Sequence, residues 1–101
     1  SHVVYEFKCP TGNCQATYIG YTTNRLLKRA QQHKYRPSKI YEHYSKDHNI
    51  TPPNNLIDSF SVLYRESNCY FLRIAESILI NSKKPVINIR FNEMSAGLQL
   101  L

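Results

Sequence analysis

Ala16-Thr17-Tyr18-Ile19-Gly20-Tyr21, followed by Arg25-Leu26-Leu27-Lys28-Arg29-Ala30-Gln31-Gln32-His33-Lys34, is the stretch on which the fold turns. The first part is rich in β-branched and aromatic residues around one glycine, as a strand is. In the second, Leu26, Leu27 and Ala30 form the apolar stripe of a helix running to about Lys34, with Thr22 or Thr23 placed to cap it. Residues four apart are neighbours on a helix, so Arg25, Arg29 and His33 share a face.

Upstream, Val3, Tyr5 and Phe7 alternate with Val4, Glu6 and Lys8, the pattern of a half-buried strand. Pro10-Thr11-Gly12-Asn13 is turn chemistry, so the two strands form a hairpin whose long loop is flanked by Cys9 and Cys14. Pairing of these strands puts Tyr5 and Tyr18 side by side, where their hydroxyls can converge.

Downstream, Ser38 is positioned to cap a second helix that turns Ile40 and Tyr44 inward and ends near Asp47, before Asn49 and Pro52-Pro53. Residues 49–56 read as a loop. Phe60, Val62 and Tyr64 alternate as a third strand. Ser67 or Asn68 then caps a third helix with Phe71, Ala75, Ile78 and Leu79 as its apolar stripe. Lys83 and Lys84 complement its C-terminal dipole, and Pro85 stops it. This helix is expected to be the main core element, followed by an extended segment at Val86-Ile87-Asn88-Ile89. The fold class predicted is α/β of the α+β kind: a small central antiparallel three-stranded sheet flanked by about three helices.

At 101 residues the chain has room for one core. Ser1-His2 reads as a cloning remnant, residues 3–91 as the domain, and 92–101 as a tail or linker. No apolar run approaches the ~20 residues that span a bilayer, so a soluble, non-secreted protein is expected. Three cysteines, an odd number, argue against a disulfide framework. The net charge is +6, from 13 Lys+Arg against 7 Asp+Glu. Between Glu6 and Glu42 there is no acidic residue, while Arg25, Lys28, Arg29, Lys34, Arg36 and Lys39 fall in that interval. An unopposed basic stripe attracts polyanions, DNA foremost; the alternative is a solvated basic face. Tyr21, Tyr35, Tyr41 and Tyr44 interleave with this run and are expected chiefly to pack.

Val3-Val4-Tyr5, Tyr18-Ile19-Gly20, Arg29, His33, Glu76 and Asn88 come in an order and spacing that resemble the GIY-YIG nuclease domain, over roughly Val3 to Asn88, with Val-Val-Tyr in place of Gly-Ile-Tyr. Cys9-x4-Cys14 and His43-x4-His48 are, more narrowly, similar to the zinc motif in the endonuclease domain of Penelope-like retroelements. The resemblance implies a divalent-metal-dependent endonuclease that nicks DNA for target-primed reverse transcription, in the nucleus, within a parent protein that also carries a reverse transcriptase. It implies that Tyr5 or Tyr18 orients or deprotonates the water, Arg29 holds the scissile phosphate, and His33 bonds the base tyrosine or relays its proton. Glu76 would bind one Mg²⁺ or Mn²⁺, Asn88 would support the site, and Gly20, Arg25, Lys28 and Lys34 would contact DNA. A nearby metal and guanidinium are expected to lower the tyrosine's pKa. Rival readings are a repair or restriction nuclease selective for structure or sequence, and a zinc-stabilised DNA-binding module without catalysis.

Two thiolates and two imidazoles form a closed tetrahedral zinc site, structural in type. Residues five apart on an α-helix point away from each other, so the second helix is expected to end between His43 and His48. Otherwise Cys9 and Cys14 are ordinary thiols. Cys69 is expected to be a small buried hydrophobe. For Glu76 the alternative to metal binding is an ion pair with Arg73 three residues earlier.

Overall fold

In the computed structural model, which describes residues 2–89, β1 (Val3–Lys8) is the middle strand of a three-stranded antiparallel sheet, between β2 (Thr17–Thr22) and β3 (Phe60–Arg65). Alternation predicted a half-buried β1. Val3 to Phe7 are instead all buried, because both faces of the middle strand are covered. Tyr5, Phe7 and Cys9 join Tyr18, Ile40, Tyr44, Leu56 and Ile87 on one face. Val4 joins Ile19 and Leu72 on the other. Burying a large apolar side chain contributes about 1.5–3 kcal/mol, and β1 feeds both clusters. The central strand, and not the third helix, is therefore the main core element.

Tyr5 pairs with Gly20 and Phe7 with Tyr18, so the two tyrosines are diagonal neighbours, ring centroids 6.4 Å apart. The glycine is required by a close approach: a Cβ there would lie 2.6 Å from the Tyr5 hydroxyl oxygen. On the other side, Val4 pairs with Tyr64 and Tyr5 with Val62, leaving Leu63 as an extra residue in a bulge. The bulge breaks the alternation expected of β3: Phe60 packs against the Tyr5–Phe7 cluster and Leu63 against the Val4–Ile19 cluster, while Val62 and Tyr64 are exposed.

Helix α1 (Leu26–Gln32) starts later than predicted. Thr22 uses its hydroxyl to accept the Asn24 N–H, tightening the turn, and Arg25 precedes the helix without a side-chain cap. Of the predicted stripe Ala30 is buried, but Leu27 is exposed. Helix α2 (Lys39–His43) follows the prediction at its start, where Ser38 Oγ accepts the Ile40 N–H and Ile40 and Tyr44 are buried.

Helix α3 (Cys69–Lys83) is capped by Asn68, which accepts from Tyr70 and Phe71, and closed by Lys84 at φ 49° before Pro85. It packs through Leu72, Ala75, Leu79 and Ile80, whereas Phe71 and Ile78 are exposed. Apolar residues occur all round this helix, so periodicity alone did not select the buried face. Cys69, expected to be buried, is exposed. Residues 86–89 form a helical turn instead of the predicted extended segment. Its Ile89 N–H donates to the carbonyl of Pro85, which immediately precedes the turn. The predicted tail at 92–101 lies outside the described residues, as does Ser1.

Candidate active site and metal centre

A cleft of ≈ 460 Å³ opens where β2 meets the segment joining α1 to α2, lined by Tyr18, Arg29, Gln32, His33, Tyr35, Arg36, Pro37, Ser38 and Lys39. Arg29, Arg36 and Lys39 bring positive charge to it, and no carboxylate is among the lining residues. Arg25, Lys28 and Lys34 are not among them either. Arg25 instead borders a separate recess with Val3, Leu26, Val62 and Arg65.

His33 is buried at the base of the cleft and is held from both sides. Its Nδ1 lies 2.5 Å from Ser38 Oγ and its Nε2 lies 2.7 Å from the Tyr5 hydroxyl. Burial first, then the positive charges of Arg29 and Lys39, push its pKa down to about 3, so the imidazole is neutral at ordinary pH. Ser38 Oγ, which also accepts the Ile40 N–H, has a second lone pair for Nδ1–H. With the hydrogen on Nδ1, Nε2 accepts from the Tyr5 O–H; with it on Nε2, Ser38 donates to Nδ1 and Nε2–H donates to the Tyr5 oxygen. Ser38, read from sequence only as a helix cap, thereby also holds the His33 ring.

Tyr5 accepts a further bond from Arg29 Nε at 3.3 Å, and Arg29 also donates to Gln32 Oε1 at 2.9 Å. Arg29 pulls the Tyr5 phenol down, as expected, but burial and neighbouring Tyr18 win and hold its pKa well above the usual value. Tyr18 is raised as well, by burial. The tyrosines differ in access: Tyr5 is 0% exposed, whereas Tyr18 is 9% exposed and forms part of the cleft wall.

Glu76 is half-buried on α3, with its carboxyl pKa raised by burial. Lys39, Arg73 and Arg29 and a hydrogen bond from the Tyr21 backbone oppose that rise. The ion pair with Arg73, the alternative reading for Glu76, is not formed among the described residues; Lys39 acts on the carboxyl most strongly among the positive groups and Arg73 next. Lys39, whose own pKa burial lowers while Glu76 raises it, had no sequence signal beyond its place in the basic interval. Asn88 is buried. Its Oδ1 accepts the Ile19 N–H at 2.7 Å and its Nδ2 donates to the Ile19 carbonyl at 2.8 Å. It thereby satisfies the outward-facing backbone of edge strand β2 in the middle of Tyr18-Ile19-Gly20.

On the far side of α2, Cys9, Cys14, His43 and His48 converge, their donor atoms all within 4.8 Å of one another. The hairpin loop supplies the sulfurs. Cys9 N–H bonds the Ala16 carbonyl, Cys14 N–H bonds the Thr11 carbonyl, and Gly12 takes the turn's positive φ of 53°. The histidines come together by a route that the sequence did not suggest. The helix does not end between them; it widens into a π-helical turn, Tyr44–His48, closed by Asn49 in the left-handed region. Hydrogen bonding from i to i+5 stacks residues five apart, and the two rings lie 4.9 Å apart.

Cys9 Sγ to His48 Nε2 is 3.4 Å and Cys14 Sγ to His43 Nε2 is 3.5 Å. A tetrahedral ion with Zn–S ~2.3 Å and Zn–N ~2.0–2.1 Å requires a sulfur–nitrogen edge of ~3.6 Å. The donor set and its spacing thus fit a structural zinc site. His43 also presents its Nδ1 to Asp47 Oδ2 at 2.8 Å, the carboxylate–histidine arrangement that orients metal ligands.

No helix among the described residues is long and apolar enough to cross a membrane. Comparison with family models, with curated proteins and with solved structures returns no match for this chain.

Proposed function

We propose that this domain is a metal-dependent DNA endonuclease. The observation that carries the reading is the cleft at which Tyr18, Arg29, His33 and Lys39 meet, with Tyr5 bonded behind them and Glu76 electrostatically coupled to the group. Phosphodiester hydrolysis requires an oriented nucleophilic water and neutralisation of charge on the phosphate. Tyr18, the tyrosine that reaches the cleft, orients the water and accepts its proton. Arg29 and Lys39 hold the phosphate oxygens. Tyr5 acts as a positioning residue, fixing the Arg29 guanidinium and the neutral His33 imidazole through its hydroxyl.

Glu76 is the carboxylate available to a Mg²⁺ or Mn²⁺, hard cations that suit one carboxylate and several waters. Such an ion would supply charge at the phosphate and leaving oxygen. Cys9, Cys14, His43 and His48 would hold a structural Zn²⁺. The similarity of that motif to Penelope-like retroelement endonucleases favours nicking of chromosomal DNA, in the nucleus, to prime a reverse transcriptase of the same protein.

A binding module without catalysis is the second reading. Its support is that Glu76 is already partly balanced by Lys39 and the Tyr21 N–H. Supercoiled plasmid relaxed in Mg²⁺ or Mn²⁺ by the parent and not by Glu76→Ala, with DNA binding retained, supports the nuclease. Binding with no relaxation in either metal overturns it. The nicking rate should rise between about pH 6.5 and 9, because the Tyr18 phenol must lose its proton and burial raises its pKa; a flat profile would remove the tyrosine base. Elemental analysis should find about one zinc per chain, as four ligands closing one site require.

A further inference from the structure

Of the four tyrosines interleaved with the basic run, Tyr44 is buried and Tyr21 and Tyr41 are partly buried, but Tyr35, expected to pack, is 67% exposed. It stands in the wall of the cleft beside Arg29, Arg36 and Lys39. Two backbone hydrogen bonds fix its place there. The Tyr35 N–H donates to the Gln32 carbonyl at 3.3 Å, and the Tyr35 carbonyl accepts the Ser38 N–H at 3.1 Å. The same two residues turn their side chains to the site: Gln32 Oε1 accepts from Arg29, and Ser38 Oγ bonds the His33 ring. Tyr35 is therefore carried at a set offset from the guanidinium that faces the phosphate. Its neighbour Arg36 lies over the Tyr41 ring, 5.6 Å from the centroid, which keeps that charge at the cleft and leaves the Tyr35 ring to solvent.

We propose that Tyr35 is a stacking platform for one unpaired nucleobase, so that the cleft selects DNA in which a base beside the bound phosphate has left the duplex stack. The inference rests on the reading of this cleft as a DNA site and names the form of DNA it takes. Within a duplex both faces of a base are covered by the neighbours above and below, and a ring fixed in a cleft wall cannot reach them. At a bulge, flap or frayed end the base turns outward and offers a face to the phenol, while its phosphate stays with Arg29 and Lys39. At ≈ 460 Å³ the cleft is in the size range of small-molecule sites, enough for one nucleotide. Every base has a π-face, so the selection is for structure and not for sequence.

The test measures binding, without added Mg²⁺ or Mn²⁺, to three duplexes of equal length: one fully paired, one with a single unpaired adenine, and one with an abasic residue at that place. The parent should bind the adenine bulge about tenfold more tightly than the abasic one, within what one stacked base contributes, and nicking in Mg²⁺ should follow the same order. Tyr35→Phe should keep that ratio, and Tyr35→Ala should bring it close to one. If the parent binds both bulges equally, the preference comes from a flexible backbone and the platform is overturned, with the nuclease reading left to the plasmid assay. An adenine preference that survives in Tyr35→Ala overturns the platform likewise. A preference that depends on Tyr35, with no duplex nicked, supports the platform and overturns the nuclease. Absence of binding to all three duplexes overturns both.

Discussion

Replacing Gly20 by alanine tests how the Tyr-Ile-Gly strand builds the cleft. The added Cβ would stand 2.6 Å from the Tyr5 hydroxyl oxygen, 2.8 Å from its Cζ and 3.0 Å from Tyr18 Cε2. Carbon contacts are comfortable at about 3.5–4.0 Å, so the end of the Tyr5 ring must retreat by roughly 1 Å. There is no free space for it: Tyr5 is fully buried, with ring centroids of Phe60 at 5.4 Å and His33 at 5.8 Å. Overpacking of this kind costs about 1–3 kcal/mol, offset by the ~0.5–1 kcal/mol that alanine gains over glycine within a strand. A net loss of about 1–2 kcal/mol is expected in urea denaturation.

The displacement also pulls on the 2.7 Å bond to His33 and the 3.3 Å bond from Arg29. A misplacement of ~1 Å can cost ~10²-fold in rate, so nicking should fall by more than the stability loss accounts for. Gly12→Ala is the control. At Gly12 nothing lies within 4 Å, but φ is +53°, so alanine costs ~1–2 kcal/mol through backbone strain alone and leaves the cleft untouched. If Gly20→Ala proved as stable as the parent and as active, the close approach of Tyr5 to this strand would be refuted.

Asn88→Ala strips both partners from the Ile19 backbone and should destabilise by about 2–6 kcal/mol, at ~1–3 kcal/mol for each group left unpaired. Hydrogen exchange at the Ile19 amide should accelerate with it, and unchanged protection would refute the assignment. His33 predicts a pH effect: the unfolded imidazole takes a proton near 6.5 while the folded one resists until about 3, so the unfolded state binds more protons in that window. His33's contribution is fully present above pH 6.5 and falls as pH drops through it, by about 2 kcal/mol at pH 5. An NMR titration of the His33 ring should show no midpoint between pH 7.5 and 4.5; one near 6.5 would refute the buried neutral imidazole.

The sheet and the helix order were legible because hairpin chemistry at Pro10-Thr11-Gly12-Asn13, the Ser38 and Asn68 caps and Pro85 are local signals, and local geometry decided those positions. What failed was long-range. The buried face of α3 depends on where Val4 and Ile19 lie, and a helix apolar on all sides carries no mark of it. Asn88 was expected to support the site, and the backbone group it bonds, Ile19, lies 69 residues away in sequence with no local mark of the pairing. Lys39 owes its importance to Glu76 on a distant helix, and no period or motif links the two.

The π-helical turn joins these levels. Helix α2 spans 5 residues, far below the ~12–15 at which an isolated helix becomes even marginal, so its position must be set from outside. At its start, Ser38 grips the His33 ring, and Lys39 lines the cleft. At its end, His43 and His48 meet the two cysteines of the hairpin that carries Tyr5 and Tyr18. One wall of the cleft comes from the hairpin and the other from the α1–α2 segment, and the four-ligand cluster ties hairpin to α2 without contributing a side chain to the cleft lining. An α-helical continuation would send His48 away from His43 and leave the hairpin untied. The one-residue widening of the helix is therefore the local irregularity on which the spacing of both walls depends.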